Sequence, residues 1–254
     1  MTKTLKYLTA STFLLLLGCG EVNEPTTVAE DILPENIIEV SVDKHSYANI
    51  TEIRTSHLHL NLVIDFEQKK IQGNAVHTVE NSAGTDVIVF DTHSLDIEKV
   101  VLDNGEEATY EMGEYDELLG ESLAVAITPE TKTVTIYYST SPDSKALQWL
   151  DPQQTAGKDQ PYLFTQGEAV LTRTWIPCQD TPGNRITYSA DVTVPSNLMA
   201  VMSADNPKEK SGETTSVLLN EDIVPHTFFN FIFFNKIFLL IIKTLANTFT
   251  NRHA

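Results

Sequence analysis

Apolar and polar residues repeatedly trade places along the middle of this chain. Leu58, Leu60, Leu62 and Ile64 alternate with His57, His59, Asn61, Val63 and Asp65. Side chains at i and i+2 share one face of a strand, so the pattern predicts a half-buried strand and not a helix. Glu67–Lys70 supplies a turn, and Ile71–Asn81 returns as a second strand with Gly73 as a candidate bulge. Further strands are expected at Val87–Phe90, Leu95–Leu102, Glu106–Glu111, Ser122–Thr128, Thr133–Thr140, Ile186–Val194 and Leu198–Ser203. Asp103-Asn104-Gly105 reads as the hairpin turn between two of them. No segment between Ile50 and Ser203 sustains a long helical stripe. The expected fold is all-β, a saddle or sandwich of mixed sheets made of many short strands.

The central span is about the size of one large domain. A hydrophobic content of 41% is enough for a core. The net charge of −18 excludes nucleic acid as a partner, because phosphate repels an acidic surface. Only Cys19 and Cys178 are present, so no disulfide framework is implied. Cys178 reads as a buried small hydrophobe, since no His stands at a spacing that would activate it.

Both ends differ from the middle. In residues 1–19, Lys3 and Lys6 precede the short apolar run Leu8–Leu17, which closes on Leu16-Leu17-Gly18-Cys19. That run is too short for a comfortable membrane span and reads as a signal peptide. Gly18-Cys19 resembles a bacterial lipobox, which makes Cys19 the expected lipid anchor. The implied location is the bacterial cell envelope, on the outer membrane facing the periplasm. Residues 20–49 are acidic, contain Pro25 and Pro34, and read as a flexible tether. The main domain is placed at 50–215. Residues 216–254 form a tail of another composition, holding seven of the eleven phenylalanines. It reads as a shifted frame or a run past a gene break. The rival is a membrane segment, disfavoured by Asn230, Asn235 and Lys236 in a run of about 15 apolar residues where about 20 are needed.

The stretch from Pro161 to Pro182 carries the chemistry. Phe164–Leu171 is expected to be a strand, which would set Gln166 and Glu168 on one face. A neutral amide beside a carboxylate receives an ammonium group well, through charge-assisted hydrogen bonds. The plain alternative is a surface strand with polar residues facing water. His57 and His59 also share a face and could chelate a metal, but zinc sites need three or four protein ligands and no third is marked. No Gly-rich phosphate loop and no GxSxG elbow occur.

Gln166-Gly167-Glu168-Ala169, Arg173 and Pro177-Cys178-Gln179-Asp180-Thr181-Pro182 resemble the N-terminal domain signature of the zinc aminopeptidases, in the branch that includes leukotriene A4 hydrolase. Ser141–Leu150, Gln154–Lys158, Pro161–Phe164 and His57–Leu60 agree, so the resemblance covers roughly Ile50–Thr215. It implies a saddle of mixed sheets that docks on a zinc-bearing catalytic domain. It further implies that Glu168 binds the free α-amino group of a peptide and that Gln166 lines the same pocket. The leukotriene hydrolase carries Gln where Glu168 stands, so the resemblance favours aminopeptidase use over epoxide hydrolysis. The family's zinc chemistry needs an HExxH helix, a further Glu and a Gly-Gly-Met-Glu-Asn loop, none of which occurs in this sequence.

The chain is therefore expected to be the substrate-recognition part of a lipoprotein aminopeptidase, with no catalytic residue and no cofactor of its own. Its expected partners are a peptide N-terminus, the missing catalytic domain, and the membrane through lipidated Cys19. A second reading is a lipid-anchored stand-alone β domain that binds a peptide or protein partner. A third is a structural envelope protein without a ligand.

Overall fold

A computed structural model describes residues 43–209, 214–225 and 231–234. Cys19, the signal peptide, most of the tether and the tail beyond 234 lie outside the described residues. Among the described residues, thirteen strands account for nearly all the regular structure, as the alternation demands. They are β1 (Ile53–Asp65), β2 (Lys70–Asn81), β3 (Val87–Thr92), β4 (Asp96–Leu102), β5 (Tyr110–Met112), β6 (Glu121–Ala126) and β7 (Thr133–Ser139). Then come β8 (Leu147–Leu150), β9 (Tyr162–Thr165), β10 (Arg185–Thr193), β11 (Met199–Met202), β12 (Thr214–Pro225) and β13 (Phe231–Phe234). Two single 3-10 turns, Pro152–Gln154 and Thr172–Thr174, are the only helical pieces among the described residues.

The strands form three sheets. A six-stranded sheet runs β12-β10-β1-β2-β7-β4, a four-stranded sheet β11-β13-β9-β8, and a three-stranded sheet β3-β6-β5. β1 lies at the middle of the large sheet, antiparallel to β2 and parallel to β10. The register sets Leu58 beside Tyr188, Leu60 beside Ala190 and Leu62 beside Val192. All six are buried on one face, where Trp175 and Ile176 also pack. A second core holds Phe90 of β3, Leu123 and Val125 of β6, and Val134 and Ile136 of β7. It fixes the small antiparallel sheet against the other part of the large one.

Gly73 is no bulge. β1 and β2 stay in register there, and the irregularity falls at Thr55/His57. Its φ is +152°, and a Cβ would stand 1.9 Å from the Asn61 carbonyl oxygen, so the position needs glycine because another backbone lies against it. The hairpin turn at Gly105 forms, with its N–H bonded to the Leu102 carbonyl. Its return arm is irregular, however, and β5 begins only at Tyr110 and pairs with β6.

Two stretches assigned to the ends take part in this fold. Asn49 donates to the Val87 carbonyl and accepts from the Val89 N–H, and Ser46 and Tyr47 bond to Asp91, so 43–49 is a strap laid on β3. β12 pairs along β10 from Thr193↔Thr214 to Arg185↔Pro225, and β13 pairs with β11 and β9. No helix among the described residues is long and apolar enough to cross a membrane.

Leu60→Ala should lower the unfolding free energy by about 2–5 kcal/mol, because it opens a cavity in the first core. Val63→Ala, exposed on the opposite face of the same strand, should change it by less than about 0.5 kcal/mol. Urea unfolding of both variants checks this; equal effects would contradict the alternation.

Candidate substrate-binding site

The expected strand at Phe164–Leu171 is overturned after Thr165. β9 pairs with β8 only as far as Leu147↔Thr165, and the Gln166 N–H adds one last bond to the Ala146 carbonyl. Beyond that the neighbouring chain has turned away. Ala146 N–H is bonded to Thr174 Oγ1, and Ser144 Oγ to the Thr174 carbonyl. The backbone then finds partners locally, Leu171 N–H on the Gly167 carbonyl and Thr174 N–H on Leu171. The result is a turn, with a cis peptide between Glu168 and Ala169. Gln166 and Glu168 are both exposed, flanking the buried Gly167. They share a turn instead of a strand face.

Arg173, which is fully buried, stands just beyond the turn. Its Nε donates to Asp180 Oδ2 at 3.1 Å, and its Nη1 lies 3.4 Å from Asp91 Oδ1. The guanidinium also donates to three carbonyls, those of Leu119, His45 and Asp180. Asp91 in turn accepts from Ser46 Oγ at 2.6 Å, Tyr47 N–H at 2.7 Å and Asp180 N–H at 2.9 Å. Asp91 and Cys178 exchange backbone hydrogen bonds, and His93 N–H bonds the Arg173 carbonyl. One cation therefore joins the strap, the end of β3, the β5–β6 hairpin and the segment that carries the turn. Arg173 and Asp180 stand in the motif read from sequence, but Asp91, Ser46 and Tyr47 were not singled out, although an Asp closing the apolar run Val87–Phe90 is a signal of a buried carboxylate.

Two carboxylates face one guanidinium out of water. Burial pushes Asp180 up to about 6 against the pull of Arg173. Its Oδ1 is buried without a hydrogen-bond partner among the described residues. Burial also raises Asp91, again opposed by Arg173. Burial pushes the Cys178 thiol well up, aided by the two carboxylates, so this free cysteine is an inert core residue.

His57 and His59 are engaged in a ladder on the outer face of β1 and β10. His57 Nδ1 meets Thr187 Oγ1 at 2.7 Å, and Ser189 Oγ lies between His57 Nε2 (3.0 Å) and His59 Nδ1 (2.7 Å). His59 Nε2 then meets Asn61 Oδ1 at 3.0 Å. All four ring nitrogens have polar partners. Burial lowers the pKa of His57, and the neighbouring His59 adds to it. No group of three or more His, Cys, Asp or Glu able to hold a metal occurs among the described residues. These residues do not fit a zinc site.

Residues 54–223 match the model of the peptidase M1 N-terminal domain. The chain belongs to that family. The match extends beyond the domain end read from the sequence and takes in most of β12. Leukotriene A-4 hydrolase of Xenopus laevis is 39% identical over 183 residues, which is 68% of this chain and 29% of that protein. Leucine aminopeptidase 2 of Yarrowia lipolytica is 32% identical over 186 residues, 71% of this chain and 28% of the relative. The chain thus spans less than a third of the length of these curated relatives. The solved structure of yeast LTA4 hydrolase in complex with bestatin superposes with a TM-score of 0.70 at 27% identity, covering 78% of this chain and 31% of that one. An M1 zinc metallopeptidase from Deinococcus radiodurans has a TM-score of 0.56 at 21% identity over 72% of this chain and 42% of its own, a likeness of fold alone.

Arg173→Met leaves two carboxylates buried without their cation and should cost about 3–5 kcal/mol in chemical unfolding. The pH dependence has a defined sign. Asp180 titrates near 6 in the folded chain and near about 3.9 unfolded. The folded form therefore binds the extra proton between these values, and this group's contribution is complete below about pH 4 and lost as pH rises through 6. Asp180→Asn should flatten the stability profile in that window; an unchanged slope would place the titration elsewhere.

Proposed function

We propose that this chain is the N-terminal, substrate-recognising domain of a lipid-anchored zinc aminopeptidase, with Glu168 and Gln166 receiving the α-ammonium of a peptide. The observation that carries the reading is the exposure of Gln166 and Glu168 together on one turn. Exposure lets an incoming amine reach both groups. A carboxylate accepts from an ammonium and the amide oxygen takes another of its N–H bonds. Curated relatives that match this chain include proteins named leucine aminopeptidase and leukotriene A-4 hydrolase, which supports the peptide-directed half of the reading.

The proposed partners are a peptide N-terminus and a zinc-bearing catalytic domain that closes over the turn. Burial by that domain would raise the worth of the Glu168–ammonium pair, since an exposed ion pair contributes only about 0–1 kcal/mol. Lipidated Cys19 would fix the protein to the bacterial outer membrane facing the periplasm. The zinc ligands and general base would come from an HExxH segment, which this sequence does not hold. The second reading is a lipid-anchored module that binds a peptide or protein without hydrolysing it. Translating all three frames of the coding DNA from codon 200 onward separates the two. An HExxH segment in another frame supports the aminopeptidase and a shifted frame in the tail; its absence from every frame supports the module.

In an enzyme reconstituted by joining this chain to its catalytic part, Glu168→Gln should reduce kcat/KM by about 1.5–3 kcal/mol of lost charged hydrogen bonding. Unchanged kinetics would remove Glu168 from the amine site. The chain alone, with added zinc, is expected to leave aminoacyl-anilides uncleaved. It should bind a short peptide that holds no Lys or Arg no tighter than about millimolar by calorimetry, because an exposed ion pair is weak.

A further inference from the structure

The five large hydrophobic residues exposed among the described residues are not scattered. Three of them, Met112, Tyr115 and Leu118, stand on the β5–β6 hairpin, and a fourth, Tyr47, stands on the strap beside it. Tyr115 is 56% exposed and Leu118 63%. The guanidinium of Arg173 fixes the two segments side by side, with Nη1 on the Leu119 carbonyl and Nη2 on the His45 carbonyl. Tyr47 lies close enough to Asp116 to feel its charge.

The hairpin tip is also built to be rigid. Asp116 Oδ1 accepts from both Leu118 and Leu119 N–H at 2.8 Å, and Asp116 and Gly120 exchange backbone bonds. Gly120 has φ +73°, and a Cβ there would stand 2.0 Å from the Thr92 carbonyl oxygen, so the tip lies directly on β3. His93 meets Tyr115 edge-on with ring centroids 5.6 Å apart. Fixed aromatic and aliphatic tips lose little entropy on binding, which is the character of interface anchors.

The rim decides what fits. Glu111, Glu114, Asp116 and Glu117 are all exposed, and none forms an ion pair among the described residues. Lys145 reaches only the Glu117 carbonyl, at 3.4 Å. A second copy would bring the same carboxylates against themselves. Residues 20–42 are acidic too, with Glu21, Glu24, Glu30, Asp31, Glu35 and Glu39. We propose that the Tyr47–Tyr115–Leu118 patch docks a cationic protein segment that carries apolar anchors between Lys or Arg residues. The apolar tips supply the anchor contacts, and the carboxylate rim supplies steering and selects against acidic partners.

The test uses the full chain and three probes, an amphipathic leucine–lysine peptide, its serine-for-leucine version and its glutamate-for-lysine version. Calorimetry should detect binding of the first alone, with backbone amide shifts confined to residues 45–47 and 111–121. Tyr115→Ser with Leu118→Ser should weaken it about tenfold or more, as removal of an anchor does. Raising salt from about 0.05 M to about 0.2 M should weaken it several-fold. Shifts spread over other surfaces, equal binding of the serine version, or an unaffected double variant would overturn the proposal. So would concentration-dependent dimerisation lost in the double variant, which assigns the patch to a second copy. Carbodiimide cross-links from Lys236 or Lys243 to Glu114 or Glu117 in the chain alone would assign it to the chain's own tail.

Discussion

The guanidinium of Arg173 is the constraint on which the half of the domain around β3 and the β5–β6 hairpin rests. It sits between Asp91 and Asp180 with no exposure to water and touches carbonyls on three segments far apart in sequence. Desolvating these three charges costs several kcal/mol per ion, and only a nearly complete set of hydrogen bonds offsets it. The set is nearly complete. Asp91 is fully engaged, and Asp180 keeps one oxygen unpartnered, which leaves it the group most ready to take a proton. The same cation ties the Tyr115 hairpin to the strap and to the segment that follows the Gln166–Glu168 turn.

The rest of the architecture follows from how β1 is used. Its alternation is strict enough to fix register on both sides, antiparallel to β2 and parallel to β10. A slip by one residue would move Leu58, Leu60 and Leu62 to the outer face and His57 and His59 to the core. The outer face takes the histidines without cost because Thr187, Ser189 and Asn61 meet every ring nitrogen. A pair that suggests a metal site by spacing is, in place, part of a polar ladder that pins β10 against β1.

Thr174 shows why the turn could not be read as a turn. Apolar alternation from Leu163 onward looks like a continuing strand. A strand, however, needs a neighbour, and the chain before Ala146 is occupied with Thr174 instead. Gln166 and Glu168 were identifiable from residue type and from the motif they stand in. That the segment just after them buries a cation depends on contacts with residues up to 128 positions away.

By itself the sequence determined the all-β class, most strand positions from β1 to β7 and at β10 and β11, and the family motif in which Gln166 and Glu168 stand. It did so because period-two burial and motif residues are local properties. The tertiary structure alone decided that 43–49 belongs to the domain as a strap, that β12 and β13 complete two of the sheets, and that Asp91, Arg173 and Asp180 form one centre. These are long-range pairings, and their free energy comes from desolvated charges and sheet edges meeting across the fold, which no local pattern encodes.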